Sequence, residues 1–164
     1  MLLIESFAWL ADPANWGGDA GIWARLVQHV LFTVAVVAVA AVVSIPLGIA
    51  IGHTKRGRAV VTLASGAARA LPTLGLLTIF ALLLGIGLGA PFLALLVLAF
   101  PPILAGAYSG VESANPATVD AARAIGMTEW QVVKNVEVPA ALPVISGGVR
   151  SAILQVAATA TLAA

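Results

Sequence analysis

Four long apolar stretches, separated by short polar ones, run along this chain of 164 residues. The first covers residues 26–52, and its only ionisable side chain is His29, close to one end. About 20 apolar residues in a helix, each rising about 1.5 Å, cross a hydrocarbon core of about 30 Å. The pattern therefore predicts an all-α membrane protein, a multi-span helical bundle with spans at about 26–52, 70–88, 91–110 and 144–164.

The second stretch contains Arg69, and prolines interrupt the second and third stretches at Pro72, Pro101 and Pro102. An arginine at the bilayer centre costs about 2.5–3.5 kcal/mol, so we favour a span that starts at residue 70 after an oblique helix. Arg69 is then either a surface anchor or a buried functional charge.

Broken helices are tolerated in membranes where they are buried in protein or line a cavity. The three prolines are therefore candidates for a pathway-lining segment or a packed kink.

Charge asymmetry predicts the orientation in the membrane. Residues 1–25 carry three acidic side chains and one arginine, whereas residues 55–58 carry three basic side chains. Lys and Arg mark the cytoplasmic side, and tryptophan is typical of the water–lipid boundary. We therefore expect residues 1–25, with Trp9, Trp16 and Trp23, to be an external or interfacial segment. Residues 55–58, and by alternation residues 112–143, are expected inside.

Composition agrees with a membrane protein and narrows its chemistry. The chain is 61% hydrophobic and only 9% charged, whereas a soluble domain is about 25% charged. A net charge of +1 gives no indication of nucleic-acid binding, and without cysteine there is no disulfide or thiolate site. The sequence has no phosphate-binding loop, and His29 and His53 stand isolated. We therefore predict no catalytic residues, no cofactor and no metal site.

The segment at residues 112–143 holds six of the fifteen Asp, Glu, Lys and Arg residues and predicts two short helices. Asn115 and Pro116 are typical of a helix start, and Gly126 of a helix stop. Thr128, with Gln131 three residues later, has the spacing of a capping box for a second helix. Pro139 and Pro143 are expected to end that helix.

One face of this second helix is apolar, with Trp130, Val133 and Val136 at helical spacing. A short helical hairpin cannot bury such a face alone. Either the face docks into a groove on another protein, or the hairpin folds back on its own bundle. The residues by themselves leave both possibilities open.

The same segment carries a longer pattern: Asp120-Ala121-Ala122, three residues, Gly126, nine residues, then Val136, any residue, Val138 and Pro139. It resembles the EAA loop of the permease subunits of ATP-binding-cassette (ABC) importers, which reads Glu-Ala-Ala, three residues, Gly, nine residues, Ile-x-Leu-Pro. The spacing matches throughout. Asp120, Val136 and Val138 are conservative departures from the pattern.

Further segments resemble permeases for glycine betaine, choline, carnitine and other osmoprotectants. They are Gln28-His29-Val30, Ser44 to Ile49, Ala70 to Leu77, Gly126-Met127-Thr128 and Ala160 to Ala164. The resemblance covers about residues 22–164. Such permeases usually continue beyond this point, so the chain is expected to be truncated at its C-terminus.

The resemblance implies a transport role in the bacterial inner membrane without enzymatic activity of the chain itself. Two permease subunits, identical or paralogous, would form the pathway, two cytosolic ATPases would hydrolyse ATP, and an extracytoplasmic binding protein would deliver the solute. The EAA loop would be a two-helix plug in a cleft of the ATPase. Gly126 would allow its sharp turn, and Ala121 and Ala122 would allow close approach.

Two alternatives to this function remain at the level of the sequence. The first is an importer of the same class for another small solute, such as methionine, nitrate or a sulfonate. The second is a passive channel or membrane-anchor subunit, which would have no ATPase partner. The chain shows no aromatic cage for a quaternary ammonium group, and we expect such a cage in the binding protein.

Overall fold

The computed structural model describes residues 2–59, 61–63, 66, 72–85 and 87–161. Within these ranges the chain is mainly helical and contains no strand, so the predicted all-α fold class is confirmed. A short 3₁₀ turn at Pro13–Asn15 separates the first two helices. The helices whose bounds are described are α1 (Leu2–Ala11), α2 (Ile22–Thr54), α3 (Thr73–Leu84), α4 (Gly89–Glu112), α5 (Pro116–Ala124) and α6 (Glu129–Ala160).

Among the described residues, three helices are long and apolar enough to cross a membrane, namely α2, α4 and α6. They correspond to the first, third and fourth predicted spans. The second predicted span, at 70–88, contains α3, whose 12 residues cover only about 18 Å. Arg69 and residues 70 and 71 lie outside the described residues, so the position of this arginine stays a prediction.

The N-terminal segment is tied to the start of α2 by aromatic contacts. The rings of Trp16 and Trp23 lie 5.5 Å apart between centroids. The Trp16 indole N–H donates a hydrogen bond to the carbonyl of Leu10 at 2.7 Å. Apolar side chains of α1, including Phe7 and Trp9, are exposed. An exposed apolar helix next to paired tryptophans suits a membrane interface, which stays our prediction for this segment.

Helix α4 lies at the centre of the bundle, between α2 and α6. Its Leu95, Ala99 and Ile103 form a buried cluster with residues of the other two helices (Val36, Val37, Ala40, Ala152, Val156 and Ala160). Most of these side chains are alanine or valine. Small side chains let helix backbones approach closely, which is how helices associate where lipid removes the hydrophobic driving force.

Glycines bring the three helices into backbone contact. Gly48 and Gly52 of α2 face α4, and Gly106 and Gly110 of α4 face α6. A Cβ atom on Gly106 would lie 2.9 Å from the Cα of Gly148 in α6. Because no side chain fits between these backbones, the glycines fix where the helices cross.

The prolines of α4 lie inside a continuous helix. Pro101 is buried in the bundle, and the Ser44 hydroxyl of α2 donates a hydrogen bond of 3.4 Å to the carbonyl of Phe100, the residue before it. The helix does not end at these prolines, and both the packed kink and the pathway role remain predictions. Pro72 differs from this pair, because it is exposed and precedes the first residue of α3.

The prediction that Pro139 and Pro143 end the second helix of the polar segment is wrong. Helix α6 runs without a break from Glu129 to Ala160, and its residues Val133–Glu137 form a π-helical turn. A proline in an α-helix lacks the N–H group and collides with the carbonyl four residues earlier. The wider π turn just before Pro139 accommodates both effects, since the N–H of Val138 bonds instead to the carbonyl of Val133. Helix α6 therefore starts well before the predicted span at 144.

Candidate functional site

Residues 113–137, here called the connecting segment, link α4 to the long apolar part of α6. The Asn115 side chain accepts a hydrogen bond of 2.9 Å from the N–H of Ala117, which caps α5. The chain reverses at Gly126, where φ is +89°. Thr128 and Gln131 then form the predicted capping box. The predicted helix, glycine turn and second helix are therefore present, with each helix start capped.

The connecting segment has a small core of its own. Val119, Ala122 and Val132 are buried against one another, and Val136 and Met127 pack on them. The predicted apolar face of Trp130, Val133 and Val136 therefore does not exist as one surface, because Val136 points into this core. Trp130 is 73% exposed and Ile125, on the other side of the Gly126 turn, is 77% exposed. These two side chains are the exposed large hydrophobic residues of the segment.

The residues of the EAA-like pattern divide between this core and the surface. Ala122 and Val136 belong to the core, whereas Asp120, Ala121 and Gly126 are exposed. Val138 is half-buried and Pro139 exposed, both in the first turn of the α-helix that follows the π turn. The pattern therefore specifies how the two short helices pack and leaves the outer side of the turn free for contact.

An ion pair closes the Gly126 turn. The Arg123 guanidinium donates two hydrogen bonds of 3.0 Å to the carboxylate of Glu129, one from Nε and one from Nη2. Asp120 adds a weaker contact, with its Oδ1 3.6 Å from Nη1 of Arg123. These hydrogen bonds, which the Glu129 carboxylate accepts, raise the pKa of the Arg123 guanidinium above its ordinary value. The pair orients the end of α5 against the start of α6.

A histidine from a distant part of the chain reaches the same carboxylate. His53 lies in the last turn of α2, with its Nε2 3.2 Å from Oε2 of Glu129 and its Nδ1 2.7 Å from Oε2 of Glu137. The interpretation of His53 as isolated is therefore wrong. Sequence reasoning missed this contact because 84 residues separate His53 from Glu137. In the described part of the chain, no group of three or more His, Cys, Asp or Glu is arranged to hold a metal ion.

A second ion pair at this end of the bundle is exposed. Arg58 Nη1 lies 3.4 Å from Oε1 of Glu112, and the arginine side chain is 70% exposed. The pair joins the residues after α2 to the end of α4. Ion pairs in such positions contribute little to stability, in contrast to the buried contact of Glu137.

Replacing Gly126 with valine should loosen the connecting segment through backbone strain. A Cβ atom here would meet none of the described atoms within 4 Å, so the positive φ is the only obstacle. For an L-residue this conformation costs about 1–2 kcal/mol, and asparagine adopts it more readily. Hydrogen exchange across residues 122–132 should therefore be faster in G126V than in G126N. Equal exchange in both variants would contradict the strain argument.

The sequence of this chain is similar to that of known membrane transport proteins. Residues 44–164 match the sequence profile of a family described as the binding-protein-dependent transport system inner membrane component. A glycine betaine/carnitine/choline transport system permease protein of Bacillus subtilis is 32% identical over 136 residues. A carnitine transport permease protein of Listeria monocytogenes is 34% identical over 127 residues. An osmoprotectant import permease protein of Salmonella typhimurium is 34% identical over 145 residues.

The matches extend over most of this chain but over a smaller share of each relative. They cover 83%, 77% and 83% of the chain, and 63%, 57% and 66% of the Bacillus, Listeria and Salmonella proteins. The chain thus spans about three fifths of the length of the curated relatives it matches.

Proposed function

This chain belongs to the family of binding-protein-dependent transport system inner membrane components, and on that premise we propose that it is the pathway-forming permease subunit of an ABC importer. The proposed cargo is a small compatible solute such as glycine betaine, choline or carnitine, the solutes in the names of its relatives. The chain is a multi-pass protein of the inner membrane. The N-terminus is proposed to lie outside and the connecting segment inside.

The structure of the connecting segment is the observation that supports this function best. Its two capped helices pack on a core of their own, so the segment keeps its shape where it leaves the bundle. Ile125 and Trp130 stay exposed on either side of the turn. An apolar pair on a rigid support is typical of helix-in-groove recognition. The proposed groove is on a cytosolic ATPase, which we propose hydrolyses the ATP for transport.

The remaining partners follow from the same proposal. A second permease subunit, identical or paralogous, would complete the pathway, and an extracytoplasmic binding protein would deliver the solute. Membrane lipid would cover the exposed apolar side chains of α2, such as Leu31, Val34 and Val42. No nucleic acid takes part.

Purification in a mild detergent from native membranes tests the proposal. We expect mass spectrometry to find an ABC ATPase and a solute-binding protein with the chain. After reconstitution into liposomes, the complex should take up labelled choline, carnitine or glycine betaine only when ATP is present. Isolation of the chain alone or only with itself would contradict the proposal and support the channel or anchor alternative. Uptake of a different solute would change the proposed cargo but leave the proposed role as an importer subunit in place.

A further inference from the structure

The connecting segment meets the bundle at a π-helical joint. Residues Val133–Glu137 form the π turn, between the start of α6 and its long apolar part. π turns are rare and concentrate at functional positions. If such a turn became regular α-helix, the helix before it would shift by one residue relative to the helix after it. This shift is a rotation of about 100° and a rise of about 1.5 Å. The joint can therefore decide how the connecting segment is oriented relative to the span.

Glu137, the last residue of this joint, is a buried acid. Only 6% of its surface is exposed, which is unusual for a glutamate. A buried carboxylate is stable only when it is paired or hydrogen-bonded. Its described partner is His53 of α2, at 2.7 Å. The contact therefore attaches the joint to a helix that is distant in sequence.

The second ring nitrogen of His53 contacts the other side of the joint. Glu129 precedes the π turn, and its Oε2 lies 3.2 Å from Nε2 of His53 and 3.0 Å from Nη2 of Arg123. One side chain of α2 thus holds a carboxylate before the π turn and another at its end.

We propose that His53 is a positioning residue that keeps the π turn formed and makes α2 move together with the connecting segment. The inference rests on the proposed function, because the movement it transmits would come from the partner ATPase. A displacement of the connecting segment then reaches α6 through the chain and α2 through His53. Without His53 the π turn absorbs the displacement, and ATP is hydrolysed without solute movement.

The variants H53Q and E137Q test this role in the assembled complex. Each should raise the number of ATP molecules hydrolysed per solute transported, by about fivefold or more if the link has the size of ordinary coupling between sites. The double variant should be no worse than H53Q alone, because H53Q already removes the contact that E137Q weakens. E137Q keeps the shape of the side chain while removing its buried charge, and so provides the test if H53Q does not assemble. The control E112Q removes the charge that pairs with Arg58. It should hydrolyse as many ATP molecules per solute transported as the wild-type complex.

A second measurement is independent of the ATPase. In the full chain in lipid nanodiscs, H53Q and E137Q should speed hydrogen exchange at the Val138 amide, which bonds across the π turn to Val133. Exchange in the middle of α4 should not change. Unchanged exchange at Val138, or an unchanged ratio of ATP to solute, would overturn the inference. If the wild-type chain binds no ATPase at all, the proposed function fails. The hydrogen-exchange measurement then still decides whether His53 keeps the π turn formed.

Discussion

Replacing Gly148 with alanine should destabilise the bundle, whereas the same change at its neighbour Gly147 should not. A Cβ atom at Gly148 would lie 2.7 Å from the carbonyl oxygen of Pro102 and 3.1 Å from the Cα of Gly106. Both are backbone atoms, so α4 and α6 would have to separate. Overpacking of this kind costs about 1–3 kcal/mol. At Gly147 the added methyl group meets none of the described atoms within 4 Å, and alanine favours the helix by up to about 1 kcal/mol.

Thermal unfolding in detergent, followed by tryptophan fluorescence, measures the difference. The unfolding temperature of G148A should fall well below that of the unchanged chain, and that of G147A should stay equal or rise. A larger side chain, as in G148L, should prevent the α4–α6 contact altogether. If G148A and G147A had equal unfolding temperatures, the backbone contact between α4 and α6 would not be a determinant of the bundle.

Replacing Trp130 with alanine should remove most of the affinity for the proposed ATPase while leaving the permease chain folded. The indole is 73% exposed, so its loss removes little packing within the chain. Truncation of a central aromatic anchor in an interface typically costs about 2–4 kcal/mol, or about 30- to 700-fold in Kd. I125A, on the other side of the turn, should weaken binding in the same direction.

Trp23 offers a matched control for this prediction. It is also an exposed tryptophan, at 61%, but lies at the start of α2, far along the chain from the connecting segment. The amount of ATPase that co-purifies with each variant is the measurement, with the unfolding temperature recorded in parallel. W130A should lose the ATPase at an unchanged unfolding temperature, and W23A should retain it. Full retention of the ATPase by W130A would show that the partner docks elsewhere.

Much of the candidate site could be predicted from local signals. Asn115, Thr128 and Gln131 cap their helices as predicted, because a cap is a hydrogen bond between residues two or three apart. The positive φ of Gly126 follows from the same local geometry. The orientation of the apolar side chains was harder to predict. Helical spacing placed Trp130 and Val136 on one face, but the π turn changes that spacing, and of the two only Trp130 is exposed.

The prolines of α6 show where prediction from neighbouring residues in the sequence fails. Pro139 and Pro143 are expected to break a helix, because each lacks the N–H group and its ring collides with the carbonyl four residues earlier. Within this bundle α6 continues through both, because a π turn re-forms the bonding around Pro139 and the helix remains packed against α4. Whether a proline ends a helix therefore depends on its neighbours, which a single sequence does not display.

The sequence by itself determined the helical class, the presence of long apolar helices and the two capped helices of the connecting segment. Each depends on interactions within a few residues or on matching apolar length to the bilayer. Only the tertiary structure decided that Gly148 meets Pro102 and that His53 joins Glu129 to Glu137. These contacts arise because α2, α4 and α6 lie side by side, which places residues from distant parts of the chain within hydrogen-bonding distance. Packing between helices, and not helical propensity, therefore built the charged joint at the end of the bundle.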